Sequence, residues 1–497
     1  MFARIPHRHP LWRSGNPSVG QVARRYISIP YGLDWWPSQD ESGSGDRAVD
    51  HLMGHRLAEH GMPEDSYEDF PPPPSATVVD DQNKPQEKNS TVGISSSNKT
   101  LSQVVKTSAR KALSPSRRIP EASPRIYVLG AGNFGRFVAH NLAGLGDPPP
   151  VTLLSDRKDL VRQWDDEGRM LELIIGDSSC PRAGIDVSHI SMLESQADSE
   201  KFIDKLIVTM KANATVPALL AIKKRLLPSS TICFLQNGMG IVEDVNTRVF
   251  PNPATRPRYI VGVTSHTTKD QRGRMFTTIQ TKAGYTYLSL VPLTPSFASL
   301  KTFSGERVGD EKSLVQRMNY GWTASSRKLM ISLKNCTLLN TKGFRYEEIL
   351  LMQFKRLAVN AVLGPLSVVF DCPHGKLLEN FAVRRLMQGL MDEIVAVAQN
   401  VPELREMDRF KDQFTSKKMM SLIIQIASRS NNTLGSMLED VRRGRLTDID
   451  FINGYVVKRG QELGVPCPVN RTVIQMVKAK QAMNRSEIAS FIPFKDK

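Results

Sequence analysis

The sequence predicts an α/β protein: a Rossmann-type, doubly wound parallel sheet followed by a mostly α-helical C-terminal domain. Three observations carry that expectation. The stretch Ile126-Tyr-Val-Leu-Gly130-Ala-Gly132-Asn-Phe-Gly135 sets three glycines at G-x-G-x-x-G spacing, between a short β-prone run and a helical pattern with Phe134, Phe137, Val138 and Leu142 on one side. From residue 125 onward, apolar runs suited to strands buried on both faces alternate with helical or loop stretches, which builds a parallel sheet with helices on both sides. After residue 345 the apolar period becomes helical.

In chain order, residues 1–33 contain no Asp or Glu and carry Arg4, Arg8, Arg13, Arg24 and Arg25. An Arg-rich, acid-free start of this kind reads as a mitochondrial transit segment, with Arg24-Arg25-Tyr26 as a processing step, and the expected location is the matrix. Residues 34–124 are rich in Asp, Glu, Ser and Pro, including Pro71–Pro74, and read as a disordered linker. Residues 125–344 form the expected nucleotide domain, with strands at Ile126–Leu129, Val151–Leu154, Leu206–Met210, Thr231–Leu235 and Tyr259–Thr264. Residues 293–345 are poorly patterned. In the helical domain, 345–497, helices are expected at Glu347–Leu363 (ending near Gly364-Pro365), from Leu378 through Ala398, and at Asp408–Ser428, Asp448–Gly460 and Val473–Met483.

Composition narrows the function. The five cysteines are scattered and form no C-x-x-C pair, which speaks for a reducing compartment and against a zinc site or a disulfide framework. No apolar run approaches the roughly 18 residues that cross a bilayer, so no membrane span is expected. The net charge of +16 admits nucleic acid or anionic small molecules as partners, but a basic leader and solvated helix faces account for much of it, and nucleic acid is not the expected partner.

The chemistry gathers after the strands. Gly130 permits a tight turn, Gly132 lets the backbone approach a pyrophosphate, Gly135 lets helix pack on strand, and the helix N-terminus offers N–H groups to phosphate. The second strand is followed by Asp156-Arg157-Lys158, the third by Lys211 and the fourth by Gln236-Asn237-Gly238. In open α/β sheets ligands bind at these carboxyl ends. Asp156 stands where an NAD-type site carries its ribose acid, while Arg157 and Lys158 suit a 2′-phosphate; the basic pair favours NADPH. His266, after the fifth strand, reads as a structural hydrogen-bonder.

Seven blocks then occur in order: Gly130–Gly135, Lys211-Ala212, Gln236-Asn-Gly-Met-Gly240, Arg356-Leu-Ala-Val-Asn360, Asp371-Cys-Pro-His-Gly375, Ser436-Met-Leu-Glu-Asp440 and Thr447-Asp-Ile-Asp-Phe-Ile-Asn-Gly454. Together they resemble the ketopantoate reductase (2-dehydropantoate 2-reductase) family, over about 125–292 and 345–485. The resemblance implies NADPH-dependent reduction of a 2-oxo acid, ketopantoate to pantoate, for pantothenate and coenzyme A. It implies that Gly130, Gly132, Asn133, Phe134, Gly135, Lys211 and Asn237 hold the cofactor, to which the reading of the second strand's end adds Arg157. Asn237, Asn360 and Ser436 would hold the substrate. The family's general-acid lysine corresponds to Arg356, its active-site glutamate to Asp448, and two of its asparagines to Gly364 and His374. The implied catalytic residues are Arg356, steadying the forming alkoxide, Lys355 or water as proton source, and Asp448; no metal is expected. The partners implied are a small 2-oxo acid and, as a further option, a second copy of the chain. The competing expectations are a reductase for a different 2-oxo acid, and a catalytically silent mitochondrial relative that binds protein or RNA through Arg442, Arg443, Arg445, Lys458 and Arg459.

Overall fold

Every residue of β1 (Ile126–Leu129) is buried, because its alternating side chains feed two cores. Ile126 and Val128 face Phe137, Leu153, Leu160 and Trp164, while Tyr127 and Leu129 face Val216, Leu219 and Val245 on the other side. This is the pattern of a central parallel strand. The structure is a computed structural model that describes residues 123–191, 202–292, 321–407, 410–429 and 434–490. The expected transit segment and nearly all of the expected linker lie outside the described residues.

After β1 come α1 (Asn133–Leu142), β2 (Val151–Ser155), α2 (Lys158–Asp166), β3 (Leu171–Ile175), β4 (Ser178–Arg182), β5 (Ile185–His189), β6 (Lys205–Val208), α3 (Ala212–Ile222), β7 (Thr231–Phe234), α4 (Ile241–Arg248), β8 (Arg258–Thr264), β9 (Thr267–Gln271), β10 (Arg274–Lys282), β11 (Thr286–Leu290), α5 (Ala324–Asn335) and β12 (Thr341–Gly343). Among the described residues the main sheet has eight strands in the order β12-β11-β8-β7-β6-β1-β2-β5. The run from β8 to β5 is parallel, and β11 joins β8 antiparallel. The winding reverses between β1 and β6, so the crevice for a ligand opens where Gly130 and Lys211 leave their strands.

Two features depart from the sequence reading. A four-stranded sheet, β4-β3-β10-β9, was not anticipated and packs against α1. Within the poorly patterned stretch, α5 starts at a reciprocal cap: Thr323 Oγ1 accepts from Ser326 N–H at 3.1 Å and Ser326 Oγ accepts from Thr323 N–H at 2.9 Å.

The longer C-terminal helices among the described residues are α6 (Tyr346–Val369), α7 (Phe381–Asn400), α8 (Ser416–Arg429), α9 (Ser436–Arg442), α10 (Asn453–Leu463) and α11 (Pro468–Ser490), packed around their own core. The stretch expected as one helix over Asp408–Ser428 is instead a short turn of helix, Phe410–Gln413, followed by α8. The expected stop at Gly364-Pro365 is wrong, and the reason is local. Pro365 has no N–H to give the Ala361 carbonyl four residues back, but Asn453 Nδ2 donates to that carbonyl at 2.8 Å. A partner from another helix replaces the lost bond and α6 continues. The expectation of no span-length apolar run also needs correction: α6 is long and apolar enough by length and composition, yet it is mostly buried and serves as the core helix of this bundle. The helix expected over 448–460 is broken into a short turn, Ile449–Phe451, followed by α10. The helix expected from Leu378 begins at Phe381, where Asn380 Oδ1 accepts from Ala382 N–H at 2.9 Å.

Candidate active site

The glycine turn is shaped by close packing on one side and open space on the other. Gly130 has φ +117°, and a Cβ there would stand 2.6 Å from Met210 N, so the turn presses against the end of β6. Thr209 Oγ1 donates to the Gly130 carbonyl at 3.0 Å. A Cβ on Gly135 would overlap the Gly130 carbonyl oxygen, whereas one on Gly132 would meet nothing within 4 Å. No side chain caps α1, whose first N–H groups therefore face that opening. An open approach beside uncapped amides fits a nucleotide pyrophosphate. Arg136, 3% exposed, donates to Asp270 on β9 at 2.7 Å and to Asn133, fixing the second sheet against the turn. At the end of β2, Arg157 is exposed and paired with Asp159 at 2.6 Å.

Lys211 and Asp448 meet across the two halves of the fold. Lys211 Nζ lies 2.5 Å from Asp440 and 3.3 Å from Asp448, and Asp448 Oδ1 accepts from the Ala212 N–H at 3.1 Å. Asp448 thus caps α3 from the helical side. Burial raises its pKa, with Lys211 opposing the shift. Burial also works against the Lys211 charge, but the two carboxylates outweigh it and the net shift is upward. The lysine is held as a cation. Beside them, Met239 N–H donates to the Phe451 carbonyl at 2.8 Å, which seats the Gln236–Gly240 turn on the same segment.

Next to this seam a small cleft is lined by Asn237, Val263, Thr264, Gln353, Arg356 and Asn360, with flanking residues of the same strand ends. Arg356 Nε donates to Asn237 Oδ1 at 2.9 Å and its Nη1 donates to the Thr264 carbonyl at 2.5 Å. Burial lowers the guanidinium pKa to about 10, so it carries its charge at neutral pH. A fixed cation with amides around it can receive a small carboxylate and polarise a carbonyl.

Sequence models of the ketopantoate reductase PanE/ApbA match residues 126–291, and models of its C-terminal part match 348–481. The chain belongs to the ketopantoate reductase family. It is 27% identical over 366 residues to the probable 2-dehydropantoate 2-reductase of Schizosaccharomyces pombe, spanning 72% of this chain and 97% of that protein. The 2-dehydropantoate 2-reductase of Saccharomyces cerevisiae is 24% identical over 380 residues, 73% of this chain and 95% of that one. Among solved structures, a D-mandelate dehydrogenase with NADH and anilino(oxo)acetate superposes with TM-score 0.54 at 20% identity, over 72% of this chain and 99% of that one. A PanE/ApbA family ketopantoate reductase from Ralstonia eutropha gives 0.52 at 20% identity, over 73% and 99%.

Of the residues singled out in the ketopantoate reductase blocks, the fold brings Arg356, Asn237 and Asn360 to one cleft. The glycines, Asn133 and Phe134 lie at the neighbouring crevice. Lys355 does not line the cleft; it lies toward Lys418 of α8, and burial with that neighbour lowers its pKa to about 8. Ser436, exposed at the start of α9, and Asp448 are not in the lining either. His374 is partly buried, its Nε2 lacking a hydrogen-bond partner among the described residues. His266 is structural in its bonding: Nδ1 accepts from Gly284 N–H at 3.1 Å, which leaves Nε2 to donate to the Leu339 carbonyl at 3.0 Å. Of the basic residues named for protein or RNA, Arg442 pairs with Asp371, Arg443 with Asp270 and Glu439, Arg445 with Asp440, and Arg459 with Glu403 and Glu462, while no ion pair involves Lys458 among the described residues. Sequence reasoning missed Gln353 and Asp440. Gln353, Arg356 and Asn360 follow one helical stripe through an apolar helix, a signal that was available. Asp440 closes the Ser436–Asp440 block, but nothing local pointed to its pairing with Lys211.

Proposed function

We propose that this chain is an NADPH-dependent 2-dehydropantoate 2-reductase of the mitochondrial matrix, supplying pantoate for pantothenate. The observation that carries the reading is the meeting of Arg356, Asn237 and Asn360 in one cleft at the ends of β7 and β8, on the same carboxyl edge of the sheet as the glycine turn after β1. Family membership sets the reaction class, the basic pair Arg157-Lys158 after β2 supports a 2′-phosphorylated nucleotide, and the acid-free, Arg-rich residues 1–33 support the location.

The amides at the start of α1, beside Gly132, would hold the pyrophosphate and Arg157 the 2′-phosphate, while Asn237 would meet the oxo acid beside the nicotinamide. When bound, NADPH supplies a hydride to the 2-oxo carbon. Arg356 keeps a positive charge beside the oxo group as it becomes an alkoxide, and this steadies the developing charge. Asn360 and Gln353 bond the carboxylate and hydroxyl of the acid. Arg356 is a poor proton donor and Lys355 stands outside the cleft, so water protonates the alkoxide.

The full chain, given NADPH or NADH and a panel of 2-oxo acids, tests this by loss of reduced-nucleotide absorbance. The expected result is turnover with ketopantoate as the best substrate and NADPH as the better donor. Nucleotide binding with no turnover on any acid would overturn it.

A further inference from the structure

We infer that Arg356 is a positioning residue for Asn237: it turns that side chain so the cleft presents a hydrogen-bond donor, which favours a 2-oxo acid over the 2-hydroxy acid made from it. The inference rests on the function proposed above and concerns how the same site tells substrate from product.

The orientation follows from donor chemistry. A guanidinium has five N–H donors and no acceptor. In the 2.9 Å contact from Arg356 Nε, Asn237 can therefore answer only with Oδ1. The carboxamide is planar, so Nδ2 lies on the far side of the group, and the described residues offer it no acceptor. Asn237 lines the cleft, and Nδ2 is the part of it left for a ligand. The other oxygen beside Arg356, the Thr264 carbonyl, is taken by Nη1. Gln236 Nε2 is bound to the Met210 carbonyl and to Thr215, and its Oε1 is buried with no hydrogen-bond partner among the described residues. At Asn237, then, the oxygen is engaged and the amide hydrogens are left for the ligand.

An oxo or carboxylate oxygen accepts only, and it matches this arrangement. The hydroxyl of the reduced product carries a proton that must find an acceptor, and Asn237 cannot supply one while Arg356 holds its oxygen. A buried donor left without an acceptor weakens binding. Gln353 and Asn360 can serve either acid, so the discrimination sits at Asn237.

The test measures affinities from ligand-induced thermal shifts of the full chain with two unreactive pairs: ketopantoate with NADP+, and pantoate with NADPH. The wild type is expected to bind the oxo acid about tenfold more tightly than the hydroxy acid, the factor one neutral hydrogen bond accounts for. Asn237→Asp keeps the pairing to Arg356 but puts oxygen where Nδ2 stood, and is expected to reverse the ratio. Arg356→Met frees the amide to turn over, and is expected to weaken both acids while bringing the ratio toward one. A guanidinium acting only through charge or packing changes both affinities together and leaves the ratio alone. An unchanged ratio in both variants would overturn the inference. Failure of the wild type to bind either acid would instead remove the function on which it rests.

Discussion

Gly132 and Gly135 are three residues apart and have opposite surroundings, so alanine reads their roles separately. At Gly135 a Cβ overlaps the Gly130 carbonyl and α1 must move off the strand end. Gly135→Ala is expected to cost about 3 kcal/mol of unfolding free energy, the upper end for overpacking. At Gly132 the space is open. Gly132→Ala is expected to unfold like the wild type yet bind NADPH at least about tenfold more weakly, because the methyl stands where phosphate would approach the amides. Denaturant unfolding and nucleotide titration separate the two. Lys355 gives a prediction in pH. Its amine, held at about 8 in the fold against 10.5 ordinarily, binds fewer protons folded than unfolded between those values. Stability therefore rises with pH through that window, and the cost of burying the charge is fully present below it. Relative to Lys355→Met, the wild type is expected to gain up to about 2 kcal/mol between pH 7 and 10.5, discounted for partial exposure. The same variant is expected to keep kcat within about threefold, whereas losing a proton donor costs about a hundredfold or more.

Between elements, the segment from Thr447 to Asn453 does structural work that its sequence did not disclose. Asp448 read as a catalytic acid because of the block it sits in; in the fold it caps α3 and shares Lys211 with Asp440. Asn453, four residues past Ile449, bridges Ala361 and Asn470 and lets α6 pass through a proline. Both contacts span many residues of sequence, so no local pattern could reveal them. The strand ends were legible, since apolar runs closed by glycine or a polar residue mark a parallel sheet directly. The second sheet was not, because β4 and β9 are short, mostly exposed and polar. Asp448→Ala is expected to cost about 2 kcal/mol in unfolding free energy, while Asp448→Asn, which keeps an oxygen for Ala212 N–H, is expected to cost about half that. Equal losses in the two variants would show that the cap contributes nothing.

At the scale of the molecule, the sheet places the nucleotide crevice at the β1–β6 reversal, and the helical half supplies Arg356 and Asn360 from one face of α6. The sequence located both halves of this arrangement. Which lysine or arginine enters the cleft is another matter, because residues 355 and 356 differ by about 100° around the helix and packing alone decides between them. The joint site implies that the reduced nucleotide and the oxo acid lie side by side on this chain. The most direct measurement supplies NADPH deuterated at the transferable position of its nicotinamide ring, together with ketopantoate, and examines the product by mass spectrometry. The account expects pantoate carrying one deuterium at carbon 2. Bound nucleotide that keeps its label, with no pantoate formed, would contradict it.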